Sequence, residues 1–83
     1  MGKKADRRAA REAAAQARSC AWIQRGMTDE PTLAHLRRCD EFGLRAALLR
    51  ASHDAARPMS PHHVHGLVVL GALETIKLER LRA

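Results

Sequence analysis

Ser60-Pro61-His62-His63-Val64-His65-Gly66-Leu67-Val68-Val69-Leu70-Gly71-Ala72-Leu73, continued by Glu74-Thr75-Ile76-Lys77-Leu78-Glu79-Arg80-Leu81-Arg82, is the stretch on which the fold turns. Ser60 suits an N-cap and Pro61 the first helical position, while Met59 and Val64 are spaced as a hydrophobic staple. From Val64 to Leu73 the residues are apolar almost all the way round a helix, which marks a helix covered on several sides. From Glu74 onward, charges alternate with Ile76, Leu78 and Leu81. Gly66 and Gly71 would each cost about 1 kcal/mol against alanine in a helix interior. Close packing against another helix offsets that cost. The segment is therefore the expected centre of the fold or of a dimer, with Val64, Leu67, Val68, Gly71 and Leu78 as candidate protein-interface residues.

Three further helical segments precede it. Leu44 to Ala56 sets Leu44, Ala47, Leu48 and Ala51 on one face and ends at Arg57-Pro58, because the residue before a proline leaves the α region. Another segment begins near Thr28, with Thr28 as cap, Asp29 and Glu30 at the positive end of the dipole and Pro31 in the first turn. It runs through Leu33, Leu36, Cys39 and Phe42 to Gly43, which either breaks the helix or sits in a bend. The first segment, Lys4 to Arg25, is rich in Ala, Arg, Glu and Gln, all strong helix formers. Gly26 follows as a C-cap in the left-handed conformation. Ala10, Ala13, Ala14, Ala17 and Ala21 form one stripe and Lys4, Arg7, Arg8, Arg11 and Arg18 another. Trp22 and Ile23 are the only bulky apolar groups there, so the C-terminal end of this segment is the part expected to dock.

Strand periodicity is absent and β-branched residues are scarce, so the fold class is all-α: a small three- to four-helix domain with a basic N-terminal helix and a long buried C-terminal helix. The 83 residues fit one domain, 1–83, comprising a basic arm (1–18) and a helical body (19–83). Apolar residues make up 46% of the chain, yet 16 of them are alanine, so the core is thin for a monomer. A homodimer, or a subunit that completes its core on a larger complex, is expected.

Charge is the most informative feature. The net charge is +6, and residues 1–18 alone hold six basic groups against two acids. An arm of that kind suits phosphate binding, because each neutralised phosphate releases condensed counterions. One Phe, one Trp and no Tyr argue against a reader that stacks bases on aromatic faces. Around Gly43, Cys39, Phe42, Leu44 and Leu49 meet half of the helix-turn-helix pattern, whereas Arg38 and Ser52 depart from it. His35 with Cys39, the His62, His63 and His65 cluster, and Cys20 raise a metal question, but no paired-cysteine spacing supports a zinc site. No metal or other cofactor is expected. Neither is catalysis: Ser19 beside Cys20 and Ser52 beside His53 are sequence neighbours that diverge on a helix, and no phosphate loop or nucleophile elbow occurs.

The longest apolar run, Gly66 to Leu73, is far shorter than the roughly 20 residues that span a bilayer. No membrane partner is expected and the expected location is cytoplasmic. The sequence thus points to a small non-enzymatic nucleic-acid-associated protein, regulatory in character, with DNA or RNA backbone contacts from Lys3, Lys4, Arg7, Arg8, Arg11 and Arg18. The alternative is a helical protein–protein interaction module (an adaptor, inhibitor or assembly subunit) that docks through its C-terminal helix.

Overall fold

Four helices and no strand form among residues 3–83, the part of the chain that the computed structural model describes. They are α1 (Lys3–Gly26), α2 (Glu30–Arg37), α3 (Glu41–Ala55) and α4 (His63–Arg82). The protein is a small all-α domain in which α1, α2 and α3 each pack on α4 and touch one another little. The apolar girdle read in Val64 to Leu73 is what lets one helix serve as that hub.

Glycine explains how closely the helices approach. Gly26 and Gly71 form a reciprocal notch at the α1–α4 crossing. A Cβ on Gly71 would land on the Ile23 carbonyl oxygen and lie 3.1 Å from the Met27 nitrogen. A Cβ on Gly26 would land on the Val68 carbonyl oxygen, 2.8 Å from the Val68 Cα. The Thr75 hydroxyl donates to the Met27 carbonyl oxygen at 2.8 Å, which satisfies an acceptor just past the end of α1. On the other side of α4, a Cβ at Gly66 would meet Asp54 Cβ at 2.7 Å and the Ala51 carbonyl oxygen at 2.8 Å. There α3 presents Ala51, Ala55 and the root of Asp54 to Gly66, so the backbones can come close.

The hydrophobic core is correspondingly small. Leu33, Leu36, Ala72 and Ile76 form its centre, with Cys39, Leu44, Ala47 and Leu73 packed at its edge, and Leu67 and Ala51 are also buried. Burying the four large side chains Leu33, Leu36, Leu67 and Ile76 contributes about 1.5–3 kcal/mol each, before entropy is counted. Polar ties supplement them. Arg37 donates from Nε to Glu79 Oε1 at 2.9 Å and also pairs with Glu30 at 3.5 Å. Arg80 donates from Nη2 to the Cys39 carbonyl at 2.8 Å, fastening the α2–α3 link to α4. The hydrogen bonds to Arg37 hold the Glu79 carboxyl below its ordinary value and raise Arg37 above its own.

Several expectations at helix ends are corrected. Gly26 is not a left-handed cap, since no glycine among the described residues has positive φ; it is buried at the crossing instead. The break between the second and third segments falls at Arg38–Asp40, ahead of Gly43. Asp40 is the N-cap of α3 and accepts from the Gly43 N–H at 2.8 Å, so Gly43 lies in a first helical turn. A helix-turn-helix centred on Gly43 is excluded by that placement. Asp29, not Thr28, caps α2, and its carboxylate accepts from the Thr32 hydroxyl. Ser60 Oγ accepts from the His62 N–H at 3.2 Å in the turn leading into α4, whose first helical residue is His63. Met59 is 96% exposed, so the staple with Val64 does not form.

Candidate nucleic-acid interface

Helix α1 has two unlike halves. From Lys3 to Arg18 every residue is exposed, whereas Ser19, Trp22, Ile23 and Gly26 are partly or wholly covered. The first half spans about 24 Å at 1.5 Å per residue. This projection stretches the molecule to 51 × 24 × 19 Å, with a radius of gyration of 15.2 Å. A compact chain of the same length would have a radius of gyration of about 12 Å.

Along that free length Lys3, Lys4, Arg7, Arg8, Arg11 and Arg18 fall within an arc of about 140° at 100° per residue. Arg8 pairs with Glu12 at 3.5 Å; the other five make no ion pair among the described residues. Asp6 and Glu12 lie off the arc. The six residues read as phosphate contacts are therefore brought together on one helix side, held by local helix propensity alone. Met1 and Gly2, which begin the arm, lie outside the described residues. Arg25 extends the same arc into the docked half, its guanidinium 5.3 Å from the centroid of the Trp22 ring. Arg25 lies beyond the arm expected at 1–18, although the helical period of the arm reaches it.

The candidate protein-interface residues on α4 are not brought together. Leu67 and Gly71 are buried within the chain and Val68 packs its backbone on Gly26, whereas Val64 and Leu78 remain 38% and 45% exposed. Gly71 serves the fold itself, so a bulky residue there tests folding and not assembly.

The histidines and cysteines are dispersed. No three of His, Cys, Asp and Glu converge on a metal-sized site among the described residues. Cys20 is exposed on α1, and Cys39 donates from Sγ to the His35 carbonyl at 3.5 Å. His63 Nδ1 is buried with no hydrogen-bond partner. A concavity of about 390 Å³ between α2 and α3 collects His35, Arg50, Asp54 and His65 over apolar walls. Asp54, only 6% exposed, accepts from Arg50 Nε at 3.4 Å. The sequence signal for it was an acid one turn beyond Ala51 on the packing face of α3. Such a cleft can hold a hydrogen-bonding group, but it brings no nucleophile to a base. Ser52 and His53 both point outward.

No helix among the described residues is long and apolar enough to cross a membrane. The chain matches no family model, no curated protein and no solved structure.

Proposed function

We propose that this is a small non-enzymatic nucleic-acid-associated protein, cytoplasmic and regulatory in character, which holds phosphates with the projecting half of α1. The observation that carries this is the free helix from Lys3 to Arg18, on which five of six aligned cations have no carboxylate partner among the described residues. A helix covered with alanine and arginine has too little apolar surface to bury in a lipid or a protein core. Its cations, by contrast, are spaced along a rod that fits beside a phosphate backbone. Contacts of this kind set position and affinity while leaving sequence unread.

Salt dependence separates this reading from a merely solvated face. In titrations of labelled duplex DNA or structured RNA, replacing Arg7, Arg8 and Arg11 together by alanine makes the log–log salt slope shallower by about 2.7 on B-form DNA. Alanine keeps the helix, so helicity stays constant. An unchanged slope with unchanged helicity removes the arm from the interface.

The second reading, a protein-interaction module, is favoured by a different observation: the side of α4 that no other helix covers. Charge would then only steer encounter.

A further inference from the structure

Three sides of α4 are occupied. Val68, Gly71 and Thr75 meet α1, Ala72, Ile76 and Glu79 meet α2, and Gly66 meets α3. The fourth side carries Leu70, Glu74, Lys77 and Leu81 and floors a groove of about 640 Å³, walled by Ile23 of α1 and by Leu44 and Leu48 of α3. Leu81 is 73% exposed and Leu48 47%, so part of the lining is apolar surface that this chain leaves open, rimmed by Glu41, Arg45 and Arg80.

We infer that a second copy of this chain fills the groove, α4 against α4 in antiparallel register. The floor residues are spaced four, three and four apart, the spacing of alternating d and a positions in a heptad seam. Read from either end, that spacing is the same, and the mirrored positions carry leucine for leucine and glutamate for lysine. A two-fold axis between Thr75 and Ile76 therefore sets Leu70 beside the partner's Leu81 and Glu74 beside the partner's Lys77, and repeats both pairs. Parallel pairing would stack Glu74 on Glu74 and Lys77 on Lys77. A two-fold interface has to be self-complementary, and this strip is so in residue spacing and in charge. The pairing also supplies apolar burial to a core that has four large buried side chains among the described residues. It stands whatever the arm binds, and gives each assembly two arms.

Sedimentation of the 83-residue chain over a concentration series tests it, with a dimer of twice 9.2 kDa expected. Glu74→Lys sets like charges together at both symmetric pairs, and so does Lys77→Glu. Each variant alone weakens the dimer on the order of tenfold or more. Mixed in equal amounts the two form a heterodimer as tight as the original, because each introduced charge then meets its opposite. Leu81→Asp abolishes the dimer with helicity unchanged, since the side chain is exposed in the monomer. A mass of 9.2 kDa throughout the series overturns the inference. So does a dimer indifferent to these substitutions, or a mixture that does not recover affinity.

Discussion

The two halves of α1 share one backbone conformation and have opposite physical bases. Residues 3–18 are helical because alanine, arginine, glutamate and glutamine favour it, and they touch no other element closely enough to be covered. Residues 19–26 are held by the crossing with α4, where Gly26 and Gly71 interlock and Thr75 ties down the Met27 carbonyl. A helix sustained by propensity alone is marginal in water below about 12–15 residues. One anchored at its root can project a charged rod and still be ordered at the base. The body therefore owes nothing to the arm's charge, and the arm needs the body only as an anchor.

The largest effect that separates the halves is steric. Gly71→Leu drives side-chain atoms into the Ile23 carbonyl and costs about 3 kcal/mol or more, enough to unfold much of a chain this small. Ala14→Leu, on the exposed arm, changes stability by no more than about 0.5 kcal/mol. Thermal melts followed by circular dichroism compare the two, and equal losses would mean the arm is packed. Amide exchange gives the next contrast. Residues 19–26 exchange on the order of a hundredfold more slowly than residues 5–16, because opening the root requires disrupting the crossing. Thr75→Val leaves the Met27 carbonyl without its donor and costs about 1 kcal/mol, again read from the melting curve. The smallest effect lies at the surface, at Glu79. Its carboxyl titrates below the ordinary value in the folded state because Arg37 bonds to it, so its contribution is present at neutral pH and lost as pH falls through that lowered value. Glu79→Gln melts slightly below the parent chain at neutral pH, and the two curves converge in acid.

The arm was legible because helix propensity and charge are local properties that tertiary packing did not override. The hub was legible for the same reason: a helix apolar on several sides has to be covered there, and Gly66 and Gly71 announced close approach. Gly26 was misread because a glycine after a helix serves either a left-handed cap or a crossing, and only the placement of Val68 decides between them. Asp40 caps the Gly43 N–H and sets the start of α3, whereas a glycine at 43 is by composition alone an equally good breaker. Leu67 and Gly71 looked like partner-facing residues because periodicity reports that a side is apolar without saying what covers it. The cleft holding Asp54 needed α2 and α3 in place before it could be seen.

The proposal that matters most is phosphate binding by the free half of α1, with a body that folds without it. The direct measurement is the affinity for duplex DNA across several salt concentrations, for the full chain and for residues 19–83. Six arm contacts give a log–log slope of about −5 for the full chain, and the shortened chain, with the same melting temperature, gives a slope near zero. A full chain that fails to bind at low salt, or a shortened chain that binds as steeply, would contradict the account.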